Sequence, residues 1–372
     1  MIRDNIARTV VVLLVAVLAY GWFGRPPVSW TFGLVVLVGC LGAFLTDARY
    51  AARRLAAVIP ILVLVSFIVF ALMNSLPGDP AINILGPSAT PDAVAQVRAE
   101  LGLDEPFFAR YGGWLGDAVV GDLGTSVQRR EAIAVGMSKA MTPTLQLAFY
   151  SFVLALVLAL PLGVLSAYRQ GRMADRVSNY TMLGFLAAPN FVLAVVLVLF
   201  FSVGGISVFG FDVGWKILPA ARYVPLGDDW FLHFKHMLLP AIALAMPQAA
   251  VFMRLLRSDM ILTLRLPFID LARSKGVATS RILWRHALRP SSFTLLTVVG
   301  LTLGALLGGT LIIEAIFTLP GVGNYIFQGV GQRDYIAVQG GVLVISALFI
   351  TLLTMSDFLY LALDPRLRSE RD

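Results

Sequence analysis

Residues Arg254–Pro290 read RLLRSDMILTLRLPFIDLARSKGVATSRILWRHALRP. They form the one long, strongly basic segment between two apolar runs, with eight Lys/Arg (Arg254, Arg257, Arg265, Arg273, Lys275, Arg281, Arg285, Arg289) against Asp259 and Asp270. Within it, Pro267–Lys275 predicts one short helix. Proline suits a first helical turn, where its missing N–H is no loss, and Gly276 suits the position just past a helix end. Thr279 or Ser280 is placed to cap a second helix reaching Ala287. Phe268, Leu271 and Ala272 fall at three- and four-residue spacing, so the first helix carries an apolar face and a charged one. Two readings are open at this point: a docking handle for a partner, or a solvated basic loop beside anionic lipid.

The surroundings of this stretch are apolar. Of 372 residues, 58% are hydrophobic and 14% charged, with a mean hydropathy of +0.82. A soluble domain carries about 25% charged residues, so the expected class is an all-α polytopic membrane protein in contact with membrane lipid. The net charge of +7 would suit nucleic acid, but an excess of cations on cytoplasmic loops explains it equally. No interleaved basic and aromatic groove is present, so no nucleic-acid partner is expected. Cys40 is the single cysteine and excludes an internal disulfide.

A membrane-spanning helix needs roughly 20 apolar residues. Six segments qualify: Leu55–Leu76, Thr144–Ala167, Ser178–Val203, His236–Leu256, Phe293–Ile316 and Gly340–Leu363. Two shorter apolar runs, Thr9–Phe23 and Trp30–Leu45, flank the turn Gly24-Arg25-Pro26-Pro27 and read as an N-terminal hairpin. A signal peptide is the competing reading of the first run, but no small-residue cleavage site follows it. Eight spans with both termini inside place 19 Lys/Arg on inner segments, against 5 on outer segments once the long loop Pro77–Met141 is set aside. That asymmetry sets the orientation. The expected divisions are 1–48 (the hairpin), 49–142 (first core span and a structured outer loop), 143–364 (the core, with the basic loop at 254–292) and 365–372 (a cytoplasmic tail).

Pro60, Pro161, Pro189, Pro240 and Pro247 sit in or beside apolar runs and allow kinks. Gly300, Gly304 and Gly308 recur at four-residue spacing, a small-residue stripe that suits tight helix packing, including against a partner subunit, with a substrate-lining role as the competing reading. In the outer loop, Thr90-Pro91-Asp92 predicts a short helix that Gly102 ends. Glu105-Pro106 predicts another reaching about Asp117, with Phe107, Phe108, Tyr111 and Trp114 as an aromatic face toward the bilayer surface or an outside partner.

Several activities lack their residues. No GxxxxGK[ST] loop occurs, so the chain has no Walker A site of its own. His233, His236 and His286 lack zinc-protease spacing, and interfacial hydrogen bonding is the expected role of the first two. No GxSxG nucleophile elbow is present. An ion-coupled carrier would need carboxylates deep in its spans. Glu314 and Asp357 lie near span ends and read as boundary residues. No catalytic residue and no cofactor or metal site is expected.

Further segments align with one family. Asp270-Leu271-Ala272-Arg273-Ser274-Lys275-Gly276 resembles the EAAxxxG signature of membrane subunits of ABC importers, with Asp270 for the usual Glu and Leu271 for the first Ala. The distal I-x-L-P of that signature is replaced by His286-Ala287-Leu288-Arg289, and the tail ILWRHALRP is similar to the dipeptide/oligopeptide/nickel branch. Leu76-Pro77-Gly78-Asp79-Pro80, Leu101–Pro106, Gly121–Ser126, Glu314–Phe317 with Pro320–Gly323, Arg333-Asp334-Tyr335 and Leu363–Arg366 resemble further motifs of that branch, in family order. The resemblance covers roughly Arg49 to Arg368.

The resemblance implies a type I ABC importer transmembrane fold with six core spans, to which the N-terminal two-span hairpin is extra. It implies a bacterial cytoplasmic (inner) membrane location, a second permease subunit, two cytoplasmic ATPase subunits and an extracytoplasmic solute-binding protein. It further implies that Asp270, Leu271, Ala272, Lys275 and Gly276 couple this chain to an ATPase, and that the cargo is a di- or oligopeptide, with nickel, glutathione or another small solute as the alternative. Gly276→Val is then expected to abolish transport, and Gly171→Val, in the other large inner loop, to matter less.

Overall fold

The computed structural model describes residues 48–75, 80–85, 90–100, 102–204, 206–208, 211–213 and 215–363. The expected hairpin at 1–48 and the tail at 365–372 lie outside the described residues, apart from Ala48. In order, the helices are α1 (Ala48–Ser75), α2 (Pro80–Leu85), α3 (Pro91–Glu100), α4 (Phe107–Val119), α5 (Ile133–Tyr168), α6 (Met173–Ala187), α7 (Asn190–Val198), α8 (Trp230–Thr263), α9 (Pro267–Ser274), α10 (Thr279–Arg281), α11 (Leu288–Ile316), α12 (Val322–Gly331) and α13 (Tyr335–Leu363). Two antiparallel ribbons interrupt them: β1 (Thr125–Ser126) with β2 (Glu131–Ala132), and β3 (Ile206–Val208) with β4 (Phe211–Val213). Contacts divide the chain into two units, Met1–Thr144 with Pro320–Asp372, and Leu145–Leu319.

In the first unit, α13 packs on α1 and on α12. The aromatic face of α4 is present, but it covers this chain rather than lipid or a partner. Phe107, Tyr111 and Trp114 lie against Phe67 and Phe70 of α1, and the Tyr111 hydroxyl donates to the Val63 carbonyl at 3.1 Å and meets Ser66 Oγ at 2.9 Å. Edge-to-face rings supply packing, and the phenol adds a second partner for the buried Ser66, which also donates to the Val63 carbonyl at 2.8 Å. Phe108 alone of the four remains exposed. Gly102, at φ +62°, ends the helical turn after α3 as expected. The buried Asp334 caps α13 through Ala337 N–H (3.2 Å) and accepts from Ser126, so the β1 turn is tied to the start of the last helix.

In the second unit, α8 is the central element. It runs through Pro240 and Pro247 and buries Ala243, Leu244, Ala245, Ala249, Ala250, Phe252, Met253 and Leu256 against α5, α7 and α11. The expected span Ser178–Val203 is not one straight helix. α6 and α7 meet at 103°, because Ala188 is extended (φ −82°, ψ 128°) ahead of Pro189. The proline ring disfavours helical geometry in the residue before it. Among the described residues, four helical segments are long and apolar enough to cross a membrane: Ala56–Ser75, Ile133–Tyr168, Trp230–Thr263 and Tyr335–Thr354. The bent α6–α7 pair makes a fifth if it counts as one span. Phe293–Ile316 lies within α11.

Candidate functional site

Helix α9 is short, and its two faces differ. Pro267 occupies its first turn and Leu266 precedes it in extended geometry, so the start needs no side-chain cap. At the other end Gly276 adopts φ +72°. Its N–H donates to Arg273 O (3.0 Å), and Val277 N–H donates to Ala272 O (3.1 Å). These two bonds satisfy carbonyls that the helix end would leave open, and the left-handed residue between them turns the chain.

The inward face is Ile269, which is 0% exposed. It sits among Val164 and Ala167 of α5, Leu256 and Met260 of α8, and Ile282 and Ala287 just before α11, with Ala272 and Val277 half-buried beside it. The outward face presents Phe268 (43% exposed), Leu271 (56% exposed), Asp270 and Lys275. Asp270 reaches only its own helix, an exposed 3.2 Å pair with Arg273. The expected apolar face of Phe268, Leu271 and Ala272 is therefore split: Ala272 turns toward this chain's core, and Phe268 and Leu271 turn to the surface.

The segment after Gly276 departs from expectation. Neither Thr279 nor Ser280 caps a helix; Ala278 holds that position with no side-chain bond. From Thr279 the chain winds through a wide π-helical turn, Ile282–Ala287, and continues into α11 without a break. Pro290 has no N–H to give the carbonyl of His286, and the widened turn lies directly before it. Ser291 Oγ donates to Thr263 Oγ1 at 2.9 Å, so the end of α8 and the start of α11 are pinned on either side of α9.

A second polar cluster lies nearby in the same unit. Asp175, in the first turn of α6, receives both arms of Arg257 from α8, Nε on Oδ1 at 2.7 Å and Nη2 on Oδ2 at 2.8 Å. Ser166 of α5 donates to the same Oδ1, Asn179 Nδ2 donates to it at 2.6 Å, and the Gly171 N–H donates to Oδ2 at 2.8 Å. Gly171 itself is at φ +78°. Sequence reasoning missed this group. Its one signal was the single acid among Arg169, Arg172 and Arg176.

Most of the length of this apolar helical chain is matched by known proteins. The family described as the binding-protein-dependent transport system inner membrane component matches residues 159–369, and its N-terminal portion matches 48–159. The chain belongs to this family. It is 33% identical to the dipeptide transport system permease of Alkalihalophilus pseudofirmus over 330 residues, 86% of this chain and 99% of that protein. A putative peptide transport system permease of Brucella abortus is 36% identical over 317 residues, covering 85% and 98%. The glutathione transport system permease of Escherichia coli is 34% identical over 320 residues, covering 86% and 99%. The permease is thus a multi-pass membrane component of a transport system.

Other expected positions are distributed differently in this permease. Gly304 is buried, whereas Gly308 is exposed with open space where a Cβ would stand. The close approach within the unit is made by the next residue, Gly309, whose added Cβ would lie 3.3 Å from Leu244 of α8. The surroundings of Gly300 lie outside the described residues, as does the side chain of Asp357. Glu314 is fully buried rather than at a water boundary. His233 is buried, donating from Nδ1 to Val224 O at 2.7 Å and sharing a 2.9 Å bond between Nε2 and Tyr150. Burial raises the phenol of Tyr223 above its ordinary value, so it stays protonated and donates to Gln146 Oε1 at 2.8 Å. Together these bonds hold the 215–229 connection to α5 and α8. Among the described residues no group of His, Cys, Asp and Glu could hold a metal ion.

Proposed function

We propose that this chain is one of two permease subunits of an ATP-driven importer in a bacterial inner membrane, and that α9 is where it receives the work of ATP hydrolysis. The observation that carries the reading is the two-faced α9: Ile269 locked into this chain's core, with Phe268 and Leu271 left outward on an element stopped by Gly276. Phe268 and Leu271 are each about half exposed, so a partner that covers them gains roughly 1–1.5 kcal/mol for each, and a push on α9 acts on the core through Ile269. Asp270, Leu271, Lys275 and Gly276 are the residues we assign to this coupling, with Ala272 as the inner support.

The assembly we infer comprises this chain, a second permease, two ATPase subunits at the inner face and a solute-binding protein outside. The chain contributes six core spans, the second of them α5 and the third the bent α6–α7 pair, and the hairpin at 1–48 adds two. The boundaries at 49–142, 143–364 and 365–372 follow from that topology, with Pro77–Met141 outside and 254–292 inside. Exposed apolar positions Leu301 and Ile312, near Gly308 on α11, are available to a second permease or to lipid. The cargo is a di- or oligopeptide, in keeping with the relatives named for dipeptide and peptide transport. Glutathione, itself a tripeptide, is the second reading, favoured by the similarity to the glutathione permease.

Affinity purification from the native membrane tests the whole reading. The expected result is recovery of a second permease and two ATPase subunits, with peptide released from the binding protein on denaturation. Recovery of this chain without any ATP-hydrolysing subunit would overturn it.

A further inference from the structure

The Asp175 cluster has no part in the exposed surface of α9, yet it is built on the same turns of α5 and α8 that supply the apolar cluster around Ile269. The Asp175 side chain is 5% exposed and that of Arg257 25%. Ser166 is a sequence neighbour of Ala167 and two positions from Val164, and Arg257 follows Leu256, so the polar group and the apolar cluster of Ile269 use the same stretches of α5 and α8. Beside them α5 and α8 approach closely: a Cβ on Gly163 would stand 3.0 Å from Leu256 Cδ2.

Apolar side chains hold helices together without fixing their register, because one packing of methyl groups can slide into another. A two-armed guanidinium–carboxylate pair defines both a distance and an angle. Shifting α8 against α6 would leave the buried Asp175 carboxylate without its guanidinium partner, which is costlier than repacking methyl groups. Ser166, Asn179 and the Gly171 N–H engage further lone pairs of the same carboxylate, so α5, the turn before α6, α6 and α8 all converge on one side chain.

We propose that Asp175 and Arg257 are positioning residues that make α5, α6 and α8 move as one body with α9, so that displacement of α9 reaches the membrane-spanning helices undiminished. The proposal rests on the reading of α9 as the coupling element.

The test uses the complete importer, reconstituted in lipid with its solute-binding protein loaded with alanine di- and tripeptides. Three quantities are read: recovery of the assembled complex, basal ATP hydrolysis, and stimulation by the loaded binding protein. Asp175→Asn is the simple variant. The double variant Asp175→Leu with Arg257→Met removes both charges at once, leaves no orphaned charge and keeps the summed side-chain volume roughly constant, at the loss of the acceptor for Ser166, Asn179 and the Gly171 N–H. Both are expected to assemble and to hydrolyse ATP at the basal wild-type rate, with stimulation reduced by at least about fivefold, the lower end of usual coupling strengths. Asp175→Glu, which keeps the charge, is expected to recover part of the stimulation. Full stimulation in the double variant overturns the proposal, because packing alone then suffices. Failure of the double variant to assemble also overturns it, since the pair would then serve folding. Gly276→Val in parallel separates the two ideas: if it keeps full stimulation, the reading of α9 fails, whatever the Asp175 variants do.

Discussion

The backbone N–H of Val277 donates to the carbonyl of Ala272 at 3.1 Å, across a Gly276 held at φ +72°. That bond decides where α9 stops and which way the chain leaves it. It depends on a backbone conformation that a residue with a Cβ enters at a cost of about 1–2 kcal/mol.

Gly276→Val is therefore expected to leave the protein inserted in the membrane and to abolish uptake. The space around Gly276 is open, so the effect comes from backbone strain and not from a clash. Gly276→Asn, which tolerates the left-handed region, is expected to retain partial uptake. Gly171→Val is not a neutral reference, since Gly171 is also left-handed (φ +78°) and donates to Asp175. Gly113 on α4 is a better one, because a Cβ there meets nothing within 4 Å and no positive φ is required. Uptake by proteoliposomes and the amount of inserted chain are the measurements.

Ile269 and Leu271 are two positions apart on α9 and are expected to fail differently. Ile269→Ala empties a fully buried site and is expected to cost about 2–5 kcal/mol of stability, read as a lower melting temperature of the purified chain. Leu271→Ala removes an exposed side chain. It is expected to leave melting unchanged while reducing the ATPase recovered with the chain.

Asp270→Ala is expected to be mild. Its carboxylate is 69% exposed and pairs with Arg273 within the same helix. Such a pair contributes about 0.2–0.5 kcal/mol. A melting shift beyond the error of the measurement, or complete loss of uptake, would show that Asp270 does more than this pair accounts for.

Orientation is checked with single cysteines in a Cys40→Ser background. The charge asymmetry predicts that Ser280→Cys is labelled only from the inner face and Thr90→Cys only from the outer face, both side chains being exposed. Labelling of Ser280→Cys in intact cells by an impermeant reagent would invert the topology.

ATP hydrolysis is expected to be absent from the chain alone, which has no Walker A loop, and to appear when its ATPase partners are added. Saturable hydrolysis in a preparation free of those partners would contradict this.

Much of this protein was decided by local chemistry, which a sequence carries in full. Apolar runs of bilayer length located the helices, because a chain in hydrocarbon must satisfy its own backbone hydrogen bonds. Pro267 and Gly276 bracketed α9, because a missing N–H and a missing Cβ act within a turn of their own position. Thr90 and Gly102 bracketed α3 in the same way. The family motifs were likewise legible in order along the chain.

What only the tertiary structure decided was which face of each element meets what. Periodicity grouped Phe268, Leu271 and Ala272 on one face, but the contacts of Ile269 with α5 and α8 turned Ala272 inward and left the other two outside. The aromatic face of α4 had no partner until α1 placed Phe67 and Phe70 opposite it. Pro189 marked a break in the expected span Ser178–Val203, and the structure gave the angle of that break, 103° between α6 and α7. Asp175 and Arg257 stand 82 positions apart, and each alone is an ordinary inner-loop charge. An ion pair on a buried carboxylate is a property of two helices brought together, and no local pattern encodes it.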